Sequence, residues 1–133
     1  MRVYVSKVFS HFYIMNQHPA NLAIRFLLEM SMLIIFAYWA WHRYEGFSRF
    51  LFSLLFPLAG AILWTVFRVD GDPGKAIISV EGWVRLLLEC SLFGIAFYML
   101  LTLKMHKWAY IFLGISILHY MASYDRIRWL LKL

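Results

Sequence analysis

Two arginines and two glutamates recur at one spacing inside apolar sequence, in Ile24-Arg25-Phe26-Leu27-Leu28-Glu29-Met30-Ser31 and in Val84-Arg85-Leu86-Leu87-Leu88-Glu89-Cys90-Ser91. Arg, Leu, Leu, Glu and Ser coincide at an offset of 60. Residues four apart share a helix face, so each segment offers one cation and one anion on the same side of a helix. Such a set can neutralise itself as an ion-pair lock between helices. It can equally form a site for a proton, an anion or a polar head group. Later in the chain Trp64, Arg68, His119, Tyr120, Tyr124, Asp125 and Arg126 carry further polar chemistry. His119 and Tyr120 tilt the reading toward a site, because a lock requires neither a titratable ring nor a phenol.

The elements that position these groups follow from composition. Of 133 residues, 63% are hydrophobic and 15% charged. Soluble domains run at roughly 45–50% and about 25%, and a water-soluble domain of this size could not hide so much apolar surface. A bilayer core of about 30 Å needs about 20 helical residues, and four segments meet that length: residues 22–41, 50–67, 83–103 and 108–124, the last extending toward Trp129. Pro57 falls inside the second, where a kink rather than an end is expected. Alternating strand patterning is absent, which excludes a membrane β-barrel.

The expected fold is all-α: an integral membrane four-helix bundle over residues 21–133, built from two parallel copies of a helix pair, behind an N-terminal extension over residues 1–20. The extension does not read as a cleavable signal. It fits either an amphipathic segment on the membrane surface or an unstructured leader. Spans two and four echo each other at an offset of 55, Ile62-Leu63-Trp64 against Ile117-Leu118-His119 and Asp70 against Asp125. The implied pseudo-two-fold axis runs along the membrane normal.

Four spans place both termini and the central loop on one side. That side carries Arg2, Lys7, Arg68, Lys75, Arg126, Arg128 and Lys132, against Arg43, Arg49, Lys104 and Lys107 opposite, so seven against four favours cytoplasmic termini. The same topology gathers Arg25, Glu29, Trp64, Arg68, Arg85, Glu89, His119, Tyr120, Tyr124, Asp125 and Arg126 at one end of the bundle. Each charge inside the bilayer costs about 2.5–3.5 kcal/mol, so the glutamates must point inward. The pairing is either within each helix or crossed, Arg25 with Glu89 and Arg85 with Glu29. The crossed form is preferred, because Arg preceding Glu is the weaker order within one helix.

Other chemistry is set aside. Lone Cys90 allows no intrachain disulfide, and apolar surroundings argue against a nucleophile there. Neither a metal nor a cofactor is expected, since His119 and the glutamates lack two-His ligand spacing. The formal charge of +6 reflects residues flanking spans, with no basic cluster for nucleic acid. Asp70-Gly71-Asp72-Pro73-Gly74 reads as a turn rather than a metal loop. Gly94 and Gly114 are expected to admit close helix approach.

Four blocks resemble the YrdB-like family of small bacterial four-helix membrane proteins: Asn21-Leu22-Ala23-Ile24-Arg25-Phe26-Leu27-Leu28-Glu29, the pair Pro57 and Trp64, Arg85-Leu86-Leu87-Leu88-Glu89, and His119-Tyr120-Met121-Ala122-Ser123-Tyr124-Asp125-Arg126. The last block is the most specific, and the resemblance covers about residues 18–130. It implies a four-span protein of the bacterial inner membrane and carries no activity. The aromatic-rich N-terminus is an addition to the usual pattern.

The leading functional expectation is a non-enzymatic protein whose polar cluster binds or transports a small polar or anionic species. The bilayer is its environment, and a homo-oligomer would help to enclose a path. A cavity open at Glu29 and Glu89 favours that reading, and a dry, closed Arg–Glu lattice opposes it. One alternative is an enzyme acting on a lipid or quinone-like substrate, with His119 as acid or base and the arginines on a head group. Another is an assembly partner in which the charges serve only as a helix lock.

Overall fold

A computed structural model of the chain describes residues 19–70 and 76–132. The N-terminal extension up to residue 18, and the expected turn from Gly71 to Gly74 with Lys75 after it, lie outside the described residues. The elements are α1 (Pro19–Arg43), α2 (Phe47–Val66), β1 (Phe67–Arg68), β2 (Ile78–Ser79), α3 (Gly82–Thr102), α4 (His106–Ala122) and α5 (Tyr124–Lys132). Helices α1, α2 and α3 are long and apolar enough to cross a membrane. Helix α4 has 17 residues, a length of about 26 Å.

Sequence features account for the boundaries. Gly46, at φ 63°, reverses the chain between α1 and α2, in a backbone region that glycine enters without a Cβ clash. Helix α2 continues through Pro57. The fourth segment does not run on as one helix: it stops at Ala122, and Ser123 donates its backbone N–H to the His119 carbonyl at 2.9 Å before α5 begins. Strands β1 and β2, which the sequence pattern did not indicate, pair in parallel as Phe67 with Ile78 and Arg68 with Ser79. The pair is two residues long and fixes the exit from α2 beside the entry to α3.

Helix α1 runs along α2 and also meets α3 and α4, while α3 packs on α4 and α5. The buried stripe of α1 is Leu28, Met32, Phe36 and Ala40, a spacing of one helical turn. On α3 the stripe is Arg85, Glu89, Leu92, Phe93, Ala96 and Leu100. The two coincide at 32 and 92, 36 and 96, and 40 and 100, and they part at the start, where α1 buries a leucine and α3 buries its ion pair.

Close approach occurs at other glycines than those expected. A Cβ on Gly60 would lie 2.8 Å from the Phe36 ring, and one on Gly82 would lie 1.8 Å from the Leu130 carbonyl oxygen of α5. Among the described residues the space around Gly94 and Gly114 is open, so the expectation for that pair is corrected. No described residue of another helix comes within 4 Å of a Cβ placed at either position, so neither seats a neighbouring helix there.

The end of α1 and α2 away from Arg25 is aromatic. Trp39 stacks on Phe56 with ring centroids 5.9 Å apart, and Tyr44 lies 4.5 Å from Phe52. Trp39 also donates its indole N–H to Thr102 Oγ1 at 2.9 Å, joining α1 to the end of α3.

Candidate functional site

The charged end is organised around Glu89. Its Oε1 accepts from Arg85 Nε at 2.9 Å and from Arg126 Nη2 at 2.7 Å. Its Oε2 accepts from Arg126 Nη1 at 3.0 Å and from the Tyr120 hydroxyl at 2.8 Å. Arg25 Nη2 approaches Oε1 at 3.5 Å. Groups from α1, α3, α4 and α5 therefore converge on one carboxylate whose side chain is 1% exposed. A buried charge needs this density of partners, since the attraction recovers the desolvation cost only when every lone pair is served.

The pairing is mixed rather than crossed. Arg25 meets Glu29 of its own helix at 3.4 Å as well as Glu89, and Arg85 stays with Glu89. The expected contact of Arg85 with Glu29 does not form among the described residues, because the second arm of Arg85 is engaged elsewhere. Arg85 Nη1 donates to the Trp64 carbonyl at 2.6 Å and to the Phe67 carbonyl at 2.5 Å. The last carbonyls of a helix have no partner within it and carry the negative end of its dipole. Arg85 thus closes the C-terminus of α2. No local sequence pattern signals this role, since the acceptors are backbone atoms 18 and 21 residues away.

Trp64 lies under that guanidinium, with Arg85 Cζ 4.5 Å from its ring centroid and Arg25 Cζ 5.9 Å away. The face of an indole attracts cations. Phe93 meets both Trp64 and Tyr120 edge-on. His119 is buried, with its ring centroid 5.6 Å from that of Tyr120. Trp64 Nε1, Arg85 Nη2 and His119 Nδ1 make no hydrogen bond among the described residues.

Two expected members stand apart. Tyr124 is exposed with its ring under Arg128, and Asp125 lies in the first turn of α5 outside the Glu89 network. The sequence reading also missed Asn21 and Ser123. The Asn21 amide donates to Ser123 Oγ at 2.9 Å and so ties the start of α1 to the break between α4 and α5. A cap-type residue at each helix boundary was the available signal.

Glu29 has different surroundings. Its side chain is 20% exposed, and it lines an open pocket of about 180 Å³ with Leu22, Arg25, Phe26 and Arg68. The ionic groups of that lining are two guanidiniums and one carboxylate. The two Arg–Glu segments therefore do different things: Glu89 is sealed in a closed lattice, and Glu29 stands at an opening. The physical cause is α5, which lies against the start of α3, with Leu130 on Gly82 and Arg126 on Glu89.

A family model described as a protein of unknown function (DUF2568) matches residues 23–117. That span holds Arg25, Glu29, Trp64, Arg68, Arg85 and Glu89, and it ends before His119, Tyr120 and Arg126. The uncharacterized protein YrdB of Bacillus subtilis (strain 168) is 38% identical over 118 residues, covering 86% of this chain and 96% of that protein. No solved structure matches the chain.

Proposed function

The chain belongs to the DUF2568 family of YrdB-like proteins of unknown function, and we propose that it is a four-span membrane protein that binds a small anionic group beside Glu29. In this reading α1 to α4 are two parallel helix pairs that cross the bacterial inner membrane with both termini in the cytoplasm. Helix α5 lies at the cytoplasmic surface. The single observation that carries the anion site is the open pocket at the charged end, where Arg25 and Arg68 line the wall with one carboxylate. Guanidiniums are suited to carboxylate and phosphate oxygens because they offer paired N–H donors in a fixed fork.

Binding is favoured over conduction. Glu89, which a path through the bundle would have to use, is enclosed by three arginines and a tyrosine. Dimerisation, expected for a conducting path, is not required for a pocket that one chain lines by itself. The enzyme reading has less support, because His119 does not line this pocket.

The test is a thermal-unfolding titration of the detergent-purified protein with inorganic phosphate. A ligand at a hundred times its Kd stabilises the folded state by about 2.7 kcal/mol. The midpoint of the unaltered protein should rise and that of Arg68→Gln should not. An equal rise in both, or none in either, would sink the proposal.

A further inference from the structure

We infer that the anionic group taken by this pocket is the phosphate of an anionic membrane phospholipid, entering sideways along α1; this rests on the anion-site reading above. Depth is the first ground. Arg25 is six residues into a helix of 25 residues, hence about 9 Å along a rod of about 37 Å, which overhangs a hydrocarbon core of about 30 Å by a few ångströms at each end. That sets its Cα about 5 Å inside the edge of the hydrocarbon, and its guanidinium turns inward toward Glu29 and Glu89 while lining the pocket. Arg68 lies two residues past the end of α2, where the β1–β2 pair holds its backbone: the Val80 N–H donates to the Arg68 carbonyl at 2.9 Å. Trp83, 55% exposed one residue into α3, is an interfacial aromatic at the same end.

The lining is the second ground. Beside its charged groups the pocket has Leu22 and Phe26, and Phe26 is 57% exposed. Phe26, Met30 and Ile34 follow at intervals of one turn and so share a helix face. Ile34, two turns deeper, is 66% exposed. An acyl chain lying on that face brings its phosphate to Arg25 and Arg68. A solute arriving from water would gain nothing from an apolar margin that continues down the helix. Glu29 does not cancel the attraction, because the pocket holds two guanidiniums, Arg25 and Arg68, against its one carboxylate.

The experiment is native mass spectrometry of the full chain released from nanodiscs of phosphatidylcholine and phosphatidylglycerol in equal amounts. A charge-assisted contact is worth about a tenfold change in binding. We therefore expect retained phosphatidylglycerol to exceed phosphatidylcholine about tenfold, with the excess lost in Arg68→Gln and kept in Lys132→Gln. Both lipids carry a phosphodiester and differ in net charge, so equal retention, with inorganic phosphate still raising the unfolding midpoint, would overturn the anionic lipid as occupant and leave a phosphate site without that selectivity. Equal retention with no effect of phosphate would remove both readings. An excess that survives Arg68→Gln together with Arg25→Gln would be attraction to basic surface in general, and would also overturn the inference.

Discussion

Arg126 grips Glu89 with both terminal nitrogens, Nη2 at 2.7 Å from Oε1 and Nη1 at 3.0 Å from Oε2. The arginine belongs to α5, a helix of nine residues at the end of the chain, and the glutamate to the buried stripe of α3. A bidentate pair fixes orientation as well as distance. Helix α5 is thereby tied to the middle of the charged end, and several expectations follow from how that tie is made.

The two glutamates should differ sharply in cost. Glu89→Gln leaves three guanidiniums around a neutral amide in a closed site, and breaking a buried pair costs about 3–5 kcal/mol. Glu29→Gln acts at a partly open position, paired with Arg25 at 3.4 Å, where the loss should stay below about 1 kcal/mol. Thermal unfolding of both variants in detergent measures the contrast. Equal losses would contradict the asymmetry of the two segments.

Tyr120→Phe removes one hydrogen bond to the Glu89 carboxylate and keeps the ring against Phe93. A hydrogen bond to a charged group contributes about 1.5–3 kcal/mol, so destabilisation in that range is expected. The double variant with Glu89→Gln should lose less than the sum of the two single losses, because both act on one network. Strict additivity would mean that the hydroxyl contributes nothing through Glu89.

Gly82→Ala tests the seat of α5. The added methyl would meet the Leu130 backbone, which cannot rotate away as a side chain could. Overpacking costs typically about 1–3 kcal/mol, and here it should first lift α5, so trypsin should cut faster after Arg126 and Arg128. Gly94→Ala and Gly114→Ala have open space among the described residues and should stabilise the protein by up to about 1 kcal/mol, since alanine is the better helix former. Faster cleavage in those two, or none in Gly82→Ala, would contradict the packing.

The number of crossings is open to labelling. In a Cys90→Ser background, single cysteines at Ser48 and Lys104 should react with an impermeant maleimide from one side of the membrane, and those at Asp70 and Lys132 from the other. If α4 did not cross, Lys132→Cys would label together with Lys104→Cys. That single reversal would replace four spans with three.

Read as sequence, the chain disclosed its three long apolar helices, because the requirement for about 20 apolar residues is local and does not depend on partners; the fourth segment, expected to extend toward Trp129, ends at Ala122. The cost of a charge in hydrocarbon led to the expectation that Glu29 and Glu89 both point inward; Glu89 is buried, whereas Glu29 borders an open pocket. Trp64, His119, Tyr120 and Arg126 could be assigned to the same end by counting crossings, and they lie around or beside Glu89. Tyr124 and Asp125 were assigned there by the same count and stand apart, because position along a helix does not say which way a side chain faces.

What only the tertiary structure decided is which Arg–Glu segment is sealed and which is open. Within the repeated motif the two are nearly the same string, so local sequence predicts the same behaviour for both. Helix α5 packs on the start of α3, with Leu130 against Gly82 and Arg126 on Glu89, while Glu29 borders the pocket with Arg68. Likewise Arg85 turns to the C-terminal end of α2, not to Glu29, because its acceptors are backbone carbonyls brought near by folding. Periodicity and charge cost are properties of a segment, whereas burial belongs to whatever packs against it.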